Sequence, residues 1–251
     1  MNPVVAGLVV LAAVFGAALL GLRIRAIYPK HHLGSPTEAT VKLAIGLISM
    51  MAALMLGLLV SSAKAKYDVQ KSEVTALSAK IVVLDRMLAA YGPESSEARV
   101  QLRNAVEQMI AHVWPRTDTD RSQLDPSAAS GAAVLDAVLA LSPGDDSQSA
   151  IKRSLLPMTV DLGQMRWLLY AQTNYGLPLP MLVMLVTWLA VIFFSYGLFA
   201  DPNGTVMAIL FVAALAVSGA IFVITALDQP FAGLMRIGST PMDVALAHLG
   251  G

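Results

Sequence analysis

The stretch VKLAIGLISMMAALMLGLLVSSAKAKYDVQKSEVTALSAKIVVLDRMLAAYGP, residues 41–93, changes solvent halfway along without a break in its helical pattern. From Val41 to Val60 the only charge is Lys42, at the mouth of the run, where a long side chain can snorkel to the interface. Twenty helical residues rising about 1.5 Å each cross a hydrocarbon layer of about 30 Å. Lys64 and Lys66 then mark the far boundary. From Tyr67 onward Gln70, Val74, Leu77, Ile81, Leu84, Leu88 and Tyr91 alternate spacings of three and four, the seam of helices that lie side by side. No breaker separates span from seam. The spacing therefore predicts one long helix that leaves the membrane as a stalk and stops at Gly92-Pro93, a C-cap followed by a residue that forbids continuation.

Working outward, three more apolar runs have the length of spans: Pro3–Leu22, Leu177–Ala200 and Val206–Leu227. Arg23 and Arg25 follow the first run instead of preceding it, which reads as a span and not as a cleavable signal peptide. The turn Asp201-Pro202-Asn203-Gly204 joins the last two. The expected fold class is all-α, a polytopic membrane protein with spans paired 1 with 2 and 3 with 4. Its expected divisions are a first span pair over 1–60, a helical extramembrane domain over 61–176, a second pair over 177–227 and an interfacial amphipathic segment over 228–251.

Composition agrees. Of 251 residues 56% are hydrophobic and 14% charged, where soluble chains carry about 45–50% and about 25%. Residues 61–176 hold 12 of the 17 basic and 13 of the 17 acidic residues, so the chain's polarity is gathered in one water-exposed insertion. Net charge is zero, which gives a polyanion such as nucleic acid nothing to bind. The absence of cysteine excludes disulfides, thiol nucleophiles and thiolate metal sites.

Within the insertion, Ser95 or Ser96 is placed to cap a second helix whose Leu102, Val106, Met109, Ile110 and Val113 share a face and fold back on the stalk. Residues 115–130 read as an exposed loop, with Asp125-Pro126 starting a short helix that ends at Leu141. After the break Ser142–Asp146, a last helix carries Ile151, Leu155, Met158, Leu162, Met165 and Leu169 on one stripe, with Pro157 expected to kink it.

Leu84-Asp85-Arg86, Tyr91-Gly92-Pro93-Glu94 and Leu227-Asp228-Gln229-Pro230-Phe231-Ala232-Gly233-Leu234 resemble the bestrophin-like domain family of bacterial and plant membrane proteins. The resemblance covers nearly the whole chain, and Asp85, Arg86, Tyr91, Gly92, Pro93, Asp228, Pro230, Phe231 and Gly233 are its motif residues. It implies a homo-oligomer of four-span subunits, with the pentameric bestrophin anion channels as distant kin, and a pore for an inorganic anion. The sequence departs from bestrophins in two places: the second span has no aromatic residue, and Asp145-Asp146 lacks the alternating oxygen ligands of a calcium loop.

Ser49, Ala53, Gly57 and Ser61 recur every four residues on the second span, followed by Ser62. Small residues so spaced let helices approach closely, and equally leave hydroxyls and room for water along a pore axis. Ala13, Ala17 and Gly21 form a similar stripe on the first span, read as packing against the second. No ionisable residue sits inside the central part of any span, which speaks against a pump, a proton-coupled transporter or a voltage sensor. His31-His32 reads as solvated loop, and no metal or cofactor set is assembled. Arg86, Arg99, Arg103 and Lys152-Arg153 either attract anions to a vestibule or belong to a mixed, solvated surface with Asp85, Glu97 and Glu107. Trp167, Tyr170 and Tyr175 read as interfacial anchors, Trp114 as hairpin packing, Asp228 as a cap or a partner for Arg236, and Thr240–Asp243 as a capping box.

No elbow, HExxH or phosphate loop is present, so no enzyme is expected. Two functions remain: a passive anion pore in the inner (plasma) membrane, crossing it several times with lipid and its own copies as partners, or a non-transporting scaffold whose helical domain docks a protein. Arg23, Arg25, Lys30 and Lys42 favour a cytoplasmic loop between spans one and two, while the resemblance implies the reverse.

Overall fold

The computed structural model describes residues 2–27, 35–114, 130–174, 179–231 and 233–249, and every regular element among them is helical. In chain order these are α1 (Pro3–Ile27), α2 (Ser35–Tyr91), a 3-10 turn (Pro93–Ser95), α3 (Ser96–Val113), α4 (Ser130–Ala140), α5 (Asp146–Asn174), α6 (Leu179–Phe199), α7 (Gly204–Leu227) and α8 (Thr240–His248). Four of them, α1, α2, α6 and α7, are long and apolar enough to cross a membrane. Contacts divide the chain into two compact units, Met1–Lys66 with Gly176–Asp228, and Tyr67–Tyr175 with Gln229–Gly251.

In the first unit α1 lies against α6 and α7. The buried stripe of α1 is Ala6, Val10, Val14, Ala18 and Leu22. Of the small stripe read from the sequence, Ala13 is exposed, Ala17 half-buried, and Gly21 turned toward the backbone of α6 at Phe194 and Leu198. Two polar and aromatic contacts fix α1 on α7. Ser218 Oγ donates to the Gly7 carbonyl at 2.6 Å, and the Phe15 and Phe211 rings meet edge to face at 5.3 Å. At one end Arg25 pairs with Asp201 in the α6–α7 turn at 2.5 Å, and Asn203 caps α7 by accepting from the Val206 amide.

In the second unit the seam of α2 is the core. Gln70, Val74, Leu77, Ile81, Leu84, Leu88 and Tyr91 are all buried, joined by Leu102, Val106 and Val113 of α3 and Leu155, Leu162 and Leu169 of α5. α2 ends where expected, because Gly92 takes φ 120° and Pro93 opens the next turn. A left-handed φ of that kind favours glycine for want of a Cβ. The capping of α3 differs from expectation. Ser95 occupies the N-cap position without capping α3 by its side chain; its hydroxyl reaches back to the Leu88 carbonyl at 2.5 Å and the Gly92 carbonyl at 2.8 Å. It satisfies carbonyls that the end of α2 leaves unpaired.

α5 starts on a capping arrangement that the sequence carried in Asp145 and Gln148. Asp145 accepts from the Gln148 amide at 2.6 Å, while the Gln148 side chain accepts from Gly144 N and donates to the Tyr91 carbonyl at 3.0 Å. Pro157 lies inside α5. The Asp125-Pro126 start of α4, the loop 115–129, His31-His32 and Tyr175 lie outside the described residues.

The tail enters this second core through Phe231, Ile237, Met242, Ala245 and Leu249. The capping box read at Thr240–Asp243 does not form: Ser239, not Thr240, takes the N-cap position of α8, makes no side-chain cap, and donates its hydroxyl to the Asp243 carboxylate at 2.7 Å.

Gln70 stands out in this core, fully buried with neither amide atom hydrogen-bonded among the described residues. An unsatisfied buried polar group costs about 1–3 kcal/mol. Gln70→Leu is therefore expected to raise the midpoint of thermal unfolding followed by circular dichroism, by the equivalent of about 1 kcal/mol. A lowered midpoint would mean that the amide has a partner.

Candidate functional site

The small-residue stripe of α2 is the first candidate, and helix geometry explains its differing exposure. A four-residue step advances about 40° beyond a full turn, so the stripe winds away from the buried face formed by Ile45, Ala52, Leu59 and Ala63. Ser49 lies nearest that face and is half-buried, its hydroxyl without a partner among the described residues. Ala53, Gly57, Ser61 and Ser62 are exposed on the chain's own surface. A Cβ placed on Gly57 would meet nothing within 4 Å. The described helices of the chain thus leave this face uncovered.

The family-motif residues form two nodes in the second unit. Asp85, 4% exposed, receives both Nε and Nη2 of Arg99 at 2.8 and 3.0 Å, a bidentate bridge from α2 to α3. The hydrogen bond to Asp85, ahead of the opposing effect of burial, holds the Arg99 guanidinium above its ordinary pKa. Arg86 beside it is exposed. Tyr91 is buried, and its hydroxyl has no partner among the described residues. Gly92 and Gly233 are the two glycines with positive φ among the described residues.

The second node closes over Trp114, which packs against the core of the second unit and is also bonded to the tail. Its indole Nε1 donates to the Ile237 carbonyl at 2.7 Å, and its ring meets Phe231 edge to face at 5.8 Å. The Ile237 amide in turn donates to the Pro230 carbonyl at 2.6 Å. Asp228, in the first unit, takes the C-cap position of α7 and pairs with Lys66 at 2.9 Å. Arg236 is exposed.

The cations read as a vestibule are largely engaged in holding helices. Arg99 binds Asp85; Arg103 binds Glu107 and the Leu249 carbonyl, both at 3.0 Å. Lys152 caps α4 through the Leu139 and Leu141 carbonyls at 2.8 and 2.6 Å. Arg153 donates to Ser149 O within its own helix. Trp167 is exposed and stands 5.6 Å from the Tyr170 ring. Among the described residues no group of three or more His, Asp or Glu side chains is placed to hold a metal.

Sequence reading missed three of these contacts. The Asp145–Gln148 box was visible as an Asp with Gln three residues on. Lys66–Asp228 and the Trp114 latch join residues more than 100 positions apart and carry no local signal.

The described arrangement has a counterpart among solved structures. A bacterial bestrophin homologue from Klebsiella pneumoniae is similar over 99% of this chain and 97% of its own, with a TM-score of 0.66 at 12% sequence identity, which shows a shared fold. No curated protein matches the chain by sequence. The Bestrophin-like domain matches residues 9–242, taking in the spans, the Asp85–Arg99 bridge, the Gly92 turn and the tail latch. A match of that extent, over the residues that build both units, makes this chain a member of the Bestrophin-like domain family.

Proposed function

We propose that the chain is the subunit of a homo-oligomeric channel that passes inorganic anions down their gradient through the plasma membrane. Family membership and the fold shared with a bestrophin homologue support an ion-channel kind of protein. The observation that carries the reading is the uncovered face of α2, where Ala53, Gly57, Ser61 and Ser62 offer small and hydroxyl-bearing side chains that no helix of the same chain occupies. Along an axis of copies such a face leaves room for water and a permeating ion. Spans without central ionisable groups suit passive flow. The number of copies, with five as the bestrophin precedent, is part of the same proposal.

Gly57→Phe is the sharp test. A Cβ at this position meets nothing within 4 Å among the described residues, so a changed conductance reports on what lies outside the chain. Purified protein in planar bilayers is expected to conduct with anion selectivity, and Gly57→Phe to reduce unitary conductance severalfold while the oligomer survives size-exclusion chromatography. Loss of the oligomer instead would make the stripe an interface. A wild type that neither conducts nor associates removes the proposal.

A scaffold role is the second reading. It is favoured by exposed Val160, Trp167 and Leu168, which line a cleft of about 420 Å³ between α4 and α5.

A further inference from the structure

A cavity of about 320 Å³ lies inside the second unit, among α2, α3, α4 and α5. Its floor reaches the centre of the core: Leu77, Ile81, Leu102, Val106 and Leu162 line it, and each is buried. Small residues on its walls keep it open. Ala105 lines it from α3, and Gly163, in the middle of α5, has nothing within 4 Å of a would-be Cβ. Glycine inside a helix is destabilising relative to alanine, and no close approach of a neighbouring backbone requires it at this position.

The polar groups on the described walls ask nothing of an occupant. The Thr159 hydroxyl is buried and donates to the Leu155 carbonyl of its own helix at 2.9 Å. Arg166 already has an interaction within the chain, and its guanidinium lies against Gly131, where a Cβ would land on it. Buried side-chain atoms without a hydrogen-bond partner occur among the described residues at Ser49, Gln70, Glu73 and Tyr91, and none of these lines the cavity. A buried water needs about two to four polar partners, and an apolar cavity without them stays dry. Left empty, it forfeits dispersion contacts along its lining. An apolar approach from outside is present: the cleft at exposed Val160, Trp167 and Leu168 shares Gly131, Thr159 and Gly163 with the cavity as common walls.

From this geometry we infer that the cavity is a binding site for an uncharged, apolar small molecule larger than benzene. An apolar cavity of about 150 Å³ takes up benzene, and pockets that hold small ligands begin at about 300 Å³. A ligand bearing a carboxylate or phosphate matches less well, because Arg166 is already engaged and burying a charge without a partner is costly. The site lies within the second unit and does not depend on conduction.

The test is binding of fluoronaphthalene, a neutral apolar probe, to the purified full chain in detergent, followed by fluorine NMR. Micelles take up the probe with or without protein, so the readout is a second, saturable resonance that unlabelled naphthalene displaces. Wild type is expected to show it. Gly163→Leu and Ala105→Leu, which fill the space from α5 and from α3, are expected to abolish it while keeping the helical circular dichroism of wild type. Fluoronaphthoate, the same ring with a carboxylate, is expected to bind wild type at least about tenfold more weakly. The absence of a saturable resonance in wild type, or its survival in either folded variant, would overturn the inference. So would naphthoate binding that equals or exceeds that of the neutral probe, an outcome that does not depend on either variant folding.

Discussion

Gly197→Ala, the addition of one methyl group, is expected to unseat α6 from α1 and cost about 3 kcal/mol or more. A Cβ on Gly197 would land on the Ala18 carbonyl oxygen and stand 3.0 Å from both Ala18 C and Leu22 N. Gly21 is its reciprocal on α1, where a Cβ would come within 2.9 Å of Leu198 N and 3.1 Å of Gly197 C. All of these are backbone atoms, so no rotamer change relieves the clash and the two helices must separate. Separation opens a gap around Val14 and Ala18, neither of which is exposed. In lipid such contacts matter more than their apolar character suggests, because tails solvate leucine as well as protein does and packing must supply the affinity. The measurement is thermal stability of detergent-purified protein by size-exclusion after heating. Gly16→Ala, where a Cβ meets nothing within 4 Å, serves as control and is expected to be neutral or mildly stabilising, since glycine inside a helix costs about 0.5–1 kcal/mol. Equal stability of Gly197→Ala and wild type would contradict the close approach.

The second large effect is expected at the bridge between α2 and α3. Arg99→Met leaves the Asp85 carboxylate, 6% exposed in its side chain, without its cation. Breaking one side of a buried pair costs about 3–5 kcal/mol, whereas replacing both partners by apolar groups is often neutral. Arg99→Met is thus expected to lower the unfolding midpoint sharply, and Asp85→Leu combined with Arg99→Met to recover most of the loss. A double variant as unstable as Arg99→Met alone would show that the bridge carries more than its charge. The pH dependence has a definite sign. Because the Arg99 pKa is raised, its contribution is complete below the ordinary guanidinium value and declines only as pH rises through the raised one. Arg99 therefore contributes no loss of stability at neutral or acid pH.

These two effects lie on opposite sides of what the chain makes legible. The seam Gln70–Tyr91, the stop at Gly92-Pro93 and the four apolar runs could be read because each depends on neighbours three or four positions away. A residue repeating every turn must face a partner, whichever partner that is. The motif around Asp85 and Gly92 was legible as a pattern, but its purpose was not. Asp85 finds Arg99 14 positions on, across a turn whose geometry depends on the positive φ of Gly92.

What the sequence determined alone was the solvent of each segment and the helical period within it, because hydropathy and spacing are properties of a helix by itself. Only the tertiary structure decided the partners. α1 lies on α6 and α7, since backbone approach at Gly21 and Gly197 is possible between those helices and depends on residues 176 positions apart. The same holds for Lys66 with Asp228 and for Trp114 with the Ile237 carbonyl. Which face of α2 stays uncovered was likewise settled by the chain's other helices: Ile45, Ala52, Leu59 and Ala63 are buried, and the Ala53–Ser61 stripe winds out of their reach.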